Sequence, residues 1–182
     1  MTGVAARRYA KAIFSLAREE QALEETSAEL EQLAAVARDP DVASALANPL
    51  LSLPNRKALA DTLATQFRLR LTTRNFVCLL ADHGRLDQLV GIHEVYQRLV
   101  DQTLGRVRAR FTSATPLNSV QLEQLVSTFE RITEKKVLAQ ASVDSELLGG
   151  VVVEVAGKVY DGSLRTQLGR LAGAIAGSRS YL

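Results

Sequence analysis

The stretch Leu148–Ile175, LGGVVVEVAGKVYDGSLRTQLGRLAGAI, decides the fold, because four local signals follow one another in it without a gap. The pair Gly149-Gly150 precedes the β-branched run Val151, Val152, Val153 and Val155; Ala156-Gly157 follows, and Val159-Tyr160 supplies a second β-prone run. β-Branched side chains fit a pleated sheet, and a glycine-containing dipeptide between two such runs is a hairpin signal, so this part reads as strand, turn, strand. Asp161-Gly162-Ser163 then offers two N-cap side chains, and Leu164, Leu168, Leu171 and Ile175 recur at helical spacing. The hairpin therefore runs directly into an amphipathic helix.

Toward the N-terminus, the period of two reaches back to residue 106. Val107, Ala109 and Phe111 alternate with Arg106, Arg108 and Arg110, the pattern of a half-buried strand with its arginines on one face. Exposed arginines need no partner, so a solvated sheet face is the simpler reading of that row, and an acidic partner the other. Thr115-Pro116 ends the strand, Asn118 or Ser119 caps a helix carrying Leu122, Leu125, Phe129 and Ile132, and Val137 to Val143 forms the next strand. The order strand, helix, strand, strand, helix predicts a small C-terminal α/β domain over residues 106–182.

Before Gly105 the period is helical. Tyr9, Ile13 and Leu16 or Ala17 mark one face of a first helix, and Leu23, Leu30, Leu33 and Val36 or Ala37 mark a second. The acidic run from Glu19 to Glu31 reads as the wet side of these two helices. Asp39-Pro40 stops the second and starts a short third through Leu46, and Ser52 caps a fourth through Leu59, Leu63 and Phe67. Thr72 or Thr73 caps a fifth with Phe76, Leu79 and Leu80, which ends at His83-Gly84, and a long sixth runs from near Leu86 to Leu104. Six helices with short connections predict an antiparallel bundle over residues 1–105, and the whole chain is expected to be an α+β protein of two domains.

Composition excludes several function classes. The 182 residues are 47% hydrophobic and 23% charged, which is ordinary for a globular protein and argues against disorder. A net charge of +2, 5% aromatics and no tryptophan make a poor base-stacking platform. Cys78 is the single cysteine, so no intramolecular disulfide framework exists. No segment approaches the ~20 apolar residues that span a bilayer, and the start MTGVAARRYAKAIF lacks a secretory h-region.

Catalytic motifs are equally absent. Gly157-Lys158 suggests a phosphate loop, but Val152 stands where that loop needs glycine and Val159 where it needs Ser or Thr, and the dipeptide joins two strands rather than a strand to a helix. Cys78 and Asp82 share a helix face at i and i+4, yet two ligands do not make a zinc site, and Cys78 lies in an apolar run that suits a small buried side chain. There is no nucleophile elbow or triad spacing. Gly169, Gly173 and Gly177 fall four apart, which suits close helix packing; Arg170 and Arg179 exclude a membrane-dimer reading. No cofactor and no metal are expected.

Val143-Asp144, Leu147-Leu148-Gly149-Gly150, Gly157, Val159 and Asp161-Gly162-Ser163 with Leu168 together resemble the C-terminal signature of the delta subunit of F-type ATP synthases, the family of the mitochondrial oligomycin sensitivity-conferring protein. Ala6, Tyr9-Ala10-Lys11-Ala12, Phe14 and Leu16-Ala17 are similar to the family's opening helix, and Asn75-Phe76, Leu79-Leu80 and Gly84-Arg85-Leu86 to its fifth helix and the turn after it. The resemblance implies a non-catalytic stator subunit. It implies that residues 1–105 sit on the catalytic head and hold an N-terminal helix of an alpha subunit, in a groove between the first and fifth helices lined by Tyr9, Ala12, Ile13, Asn75, Phe76 and Leu79. It implies that residues 106–182 engage the C-terminal end of the peripheral-stalk b subunits, and that Asp144, Gly149, Gly150, Gly157, Asp161, Gly162, Ser163 and Leu168 are structural. The expected location is peripheral, on the cytoplasmic face of a bacterial plasma membrane, because the first helix begins within a few residues of Met1 and leaves no room for an organelle presequence. A small RNA-binding module or other helical adaptor is the alternative, and a nucleotide-dependent enzyme a more distant one.

Overall fold

The computed structural model describes residues 3–48, 51–166 and 168, and the predicted helix through Leu171 and Ile175 lies largely outside them. Two compact units divide between Val100 and Asp101.

The first unit is helical. It comprises α1 (Val4–Glu19), α2 (Leu23–Ala37), α3 (Pro40–Ala47), α4 (Leu53–Gln66), α5 (Leu71–Asp82), a 3-10 turn over Leu86–Gln88 and most of α6 (Leu89–Thr103). Two of the predicted starts form as read. Asp39 accepts hydrogen bonds from the backbone amides of Asp41 and Val42, and Ser52 accepts one from Asn55, in each case with proline at the following helical turn. The start of α5 differs. Arg70, which has no acceptor to offer, is its N-cap residue, and Thr72 and Thr73 already lie inside the first turn. The sixth helix also starts later than expected, because a tight turn occupies Leu86–Gln88.

One apolar core closes this unit, built on Ile13, Leu30, Leu33, Val77, Leu80, Leu86, Leu89, Ile92, Tyr96 and Val100. Of the alternatives open in the first helix, Ala17 is buried and Leu16 is 47% exposed. Cys78 is partly buried against the same core.

The second unit holds a four-stranded sheet in the order β2-β1-β3-β4, formed by β1 (Arg106–Ser113), β2 (Lys136–Val143), β3 (Val151–Val155) and β4 (Lys158–Asp161). The hairpin read from Val151 to Tyr160 forms, its return arm pairing Val153 with Tyr160 and Val155 with Lys158, and the summary order strand, helix, strand, strand, helix is one strand short because it leaves that arm out. β1 and β2 are parallel, joined through α7 (Ser119–Thr133), and β1 and β3 are antiparallel. Asn118 starts α7 with a reciprocal capping box to Gln121. The small core contains Ala109 and Phe111 from β1, Phe129 from α7, Val137 from β2, and Val153 and Val155 from β3. Phe129 stands edge-on to both Phe111 and Tyr160, with ring centroids 5.9 and 5.3 Å away.

Candidate functional site

The six residues proposed for the partner groove fall on α1 and α5, and the structure separates them into two groups. Tyr9, Ile13 and Phe76 are buried, whereas Ala12 and Asn75 are exposed and Leu79 is 45% exposed. Tyr9 and Phe76 meet edge to face across the two helices, with centroids 6.4 Å apart, and the Arg8 guanidinium lies over the Tyr9 ring, 5.5 Å from its centroid. That contact joins α1 to α5. Helical geometry places Ala12 and Leu16 on the side of α1 that also carries Tyr9, and places Leu71, Asn75 and Leu79 in one row at i, i+4 and i+8 on α5. Leu16 and Leu71, 47% and 72% exposed, extend the two rows and were not among the predicted contact residues. The four-residue spacing back from Asn75 is the signal that could have found Leu71.

Large exposed leucines in a row are worth explaining. Fully burying one such side chain contributes roughly 1.5–3 kcal/mol, and here two helices present them beside a shared aromatic contact. An amphipathic helix laid over the pair would cover them, the recognition mode in which apolar anchors at helical spacing fill a groove.

At the start of α5 lies a partly buried polar cluster that the acidic run of α2 did not suggest. The Glu29 carboxylate accepts a hydrogen bond from the backbone amide of Arg70 at 2.9 Å and another from the hydroxyl of Thr73. The Arg70 guanidinium donates to Thr26 Oγ1 at 2.7 Å and lies within 3.6 Å of Glu29 and 3.9 Å of Glu20. Thr26 and Thr73 are fully buried, and the Glu29 side chain is 13% exposed. Glu29 is therefore a remote N-cap for α5 rather than part of a wet face. Nearby, Tyr96 donates to the carbonyl of Leu23 at 3.0 Å. Burial pushes the Tyr96 phenol up to about 12, against a smaller lowering by its hydrogen bond with Thr26.

In the second unit the signature residues form a clasp. Asp144 and the turn after it join β2 to Gly149, with the Asp144 carboxylate accepting from Glu146 N at 2.9 Å. The amide of Leu164 donates to the Gly149 carbonyl at 2.9 Å, and that of Gly162 to the Val151 carbonyl at 3.1 Å. Gly150, at φ +86°, lies so close to the return chain that a Cβ there would be 2.3 Å from the Gly162 carbonyl oxygen. Asp161 accepts from Ser163 N at 2.8 Å and from Thr166 Oγ1 at 2.7 Å, while the buried Ser163 hydroxyl accepts from Thr166 N at 3.3 Å. Leu164 to Thr166 are helical, and Leu168 is 58% exposed.

Gly157 has a different task. Ala156 and Gly157 both have positive φ, 52° and 76°, the two-residue hairpin geometry that matches strand twist. It is the turn between β3 and β4. The arginine row of β1 finds partners within the chain. Asp101, whose side chain is 10% exposed, accepts from Arg106 Nε at 3.1 Å and Arg108 Nε at 2.8 Å, and Arg110 faces Glu154 at 4.0 Å. Asp82 pairs with Lys57 at 3.1 Å, and among the described residues no three His, Cys, Asp or Glu side chains are grouped to hold a metal ion. No described helix is long and apolar enough to cross a membrane.

Comparison with known proteins bears on the whole chain. The family model for the ATP synthase delta (OSCP) subunit matches residues 5–175. ATP synthase subunit delta of Anaeromyxobacter dehalogenans (strain 2CP-1) is 41% identical over 169 residues, covering 92% of this chain and 94% of the relative. The same subunit of Anaeromyxobacter sp. (strain Fw109-5) is 44% identical over 167 residues, covering 91% and 93%. A chain in the cryo-EM structure of the Toxoplasma gondii mitochondrial ATP synthase hexamer shares the fold, with a TM-score of 0.71 and 18% identity over 96% of this chain and 98% of that one.

Proposed function

This chain belongs to the ATP synthase delta (OSCP) subunit family and is a non-catalytic stator component of an F-type ATP synthase; from that premise we propose how it joins its neighbours. Its helical part, residues 1–105, holds an N-terminal helix of an alpha subunit at the top of the catalytic head. Its sheet part, residues 106–182, engages the C-terminal end of the peripheral-stalk b subunits. The chain thereby links head to stalk and resists the torque of the rotor, and it resides peripherally on the cytoplasmic face of a bacterial plasma membrane by way of the complex.

The observation that carries this reading is the pair of exposed rows on α1 and α5, Ala12 with Leu16 and Leu71 with Asn75 and Leu79, joined by the buried contact of Tyr9 with Phe76. An amphipathic helix is a ligand that needs such rows and no catalytic group. Two separate docking surfaces on one chain also suit a tether, because the second attachment becomes intramolecular once the first has formed. Titration of the full chain with a synthetic peptide of the alpha-subunit N-terminal helix should give saturable binding. Leu79→Asp should weaken it by about tenfold or more, since a charge would be buried against the apolar face of the peptide. Absence of saturable binding by the unaltered chain would falsify the groove assignment.

A further inference from the structure

We propose that Glu29, on α2 and outside the groove, is a positioning residue that sets the axial register of α5 against α1 and so determines the groove's affinity for its helix. The inference rests on the groove reading above and adds to it a residue that makes no contact with the partner.

Apolar packing alone tolerates sliding. Phe76, Val77, Leu80 and Ala81 bury α5 in the core, but such contacts are non-directional, and a helix can shift along its axis while keeping most of its apolar area covered. Hydrogen bonds to a largely buried carboxylate resist that shift, because their geometry weakens steeply with angle and a largely buried charge without its donors is costly. Glu29 makes two such bonds at the N-terminus of α5, one with the backbone amide of the N-cap residue Arg70 and one with the hydroxyl of the fully buried Thr73 in the first turn. Arg70 reinforces them through Thr26 of the same α2 face and through Glu20, the residue that closes α1. The start of α5 is thus tied to both α2 and the end of α1. Asn75 and Leu79 follow one and two turns further along α5. Their height relative to Ala12 and Leu16 is set by that tie.

The test is the affinity of the full chain for the alpha-subunit N-terminal helix peptide, measured by isothermal titration. Glu29→Ala should raise Kd about tenfold. Glu29→Gln keeps an oxygen acceptor for the Arg70 amide and should stay within about threefold of the unaltered chain. Thr73→Val, which deletes one of the two bonds without removing the carboxylate, should fall between them and serves in place of Glu29→Ala if that variant does not fold. Leu46→Ala controls for lost stability, since α3 packs chiefly against α2 and the Leu86–Gln88 turn; it should leave Kd unchanged at an equal or larger stability cost. If Glu29→Ala and Thr73→Val lose stability but bind the peptide as tightly as the unaltered chain does, the positioning role is overturned and Glu29 is only a cap. If the unaltered chain itself does not bind, the groove reading fails, and the positioning role goes with it.

Discussion

The start of α5 and the start of the helical stretch at Leu164 are both fastened by groups outside their own helix, but with different chemistry. At α5 the fastening is made of side chains from distant sequence, Glu29 reaching the amide of Arg70 across 41 positions, with Thr26 and Thr73 buried beside it. At Leu164 it is mostly backbone, the Gly149 carbonyl receiving the Leu164 amide while Gly150 packs directly against Gly162 and Ser163. Side chains can be shortened or exchanged with partial loss, because neighbours and water move in. A backbone-to-backbone approach offers no such latitude. The helical unit can therefore absorb changes at its clasp in graded steps, and the sheet unit cannot.

Gly150→Ala tests the steeper side of that contrast. The new methyl would stand 2.3 Å from the Gly162 carbonyl oxygen and 3.0 Å from Ser163 Cα, on a residue whose φ is +86°. Steric overlap and left-handed strain each cost of order 1–3 kcal/mol, and together about 3 kcal/mol is expected. Native-state hydrogen exchange can assign the loss to one unit. The amides of Val151 to Val155 should exchange faster, while those of Val77 and Leu80 in α5 stay as they are. Equal acceleration in both units would break the comparison.

The next largest effect belongs to the helical unit alone. The Tyr96 phenol is pushed up to about 12, chiefly by burial, from an ordinary value of 10.0. Below pH 10 both folded and unfolded chains keep the proton, and the contribution of the site is fully present. As pH rises from 10 toward 12 the unfolded chain ionises first, so stability falls by at most ~1.4 kcal/mol per pH unit, about 2 kcal/mol across the window. Tyr96→Phe should remove that alkaline loss and should cost about 1 kcal/mol at neutral pH through the missing bond to the Leu23 carbonyl. Urea unfolding followed through α6 at pH 7, 10 and 11.5 reads both effects. A parallel alkaline slope in the variant would show that other groups cause it.

What was legible in the sequence follows the same division between local and distant chemistry. The caps at Asp39, Ser52 and Asn118 were readable because donor and acceptor lie within three residues of each other. The start of α5 was misread because its cap is Glu29, and no local pattern marks a carboxylate that turns inward from α2. The hairpin and its turn at Ala156-Gly157 were legible from residue type, yet the close approach of Gly150 to Gly162 is a property of the folded path. Helical period identified which residues share a face of α1 and α5. It did not show where the core ends and the open row begins, and neither did the family resemblance that named the groove residues, so the burial of Tyr9, Ile13 and Phe76 beside the exposed Ala12, Asn75 and Leu79 is seen only in the folded chain. The partners of the β1 arginines were hidden for a similar reason, since Asp101 comes within reach only once the chain turns at Gly105.

The smallest effect is expected where the sheet unit does use side chains. Asp161 accepts from Ser163 N at 2.8 Å and Thr166 Oγ1 at 2.7 Å, and these are directional but exposed bonds that water can partly replace. Asp161→Ala should cost about 1 kcal/mol, the usual loss for a capping side chain, and Asp161→Asn should recover most of it because its oxygen still accepts from Ser163. Exchange at the Ser163 and Thr166 amides should rise about fivefold in the alanine variant, as ~1 kcal/mol implies, with little change at Val153. If Asp161→Ala instead matches Gly150→Ala in size and spreads through β3, then the carboxylate and not the backbone approach closes the clasp, and the distinction between the two units fails at its own centre.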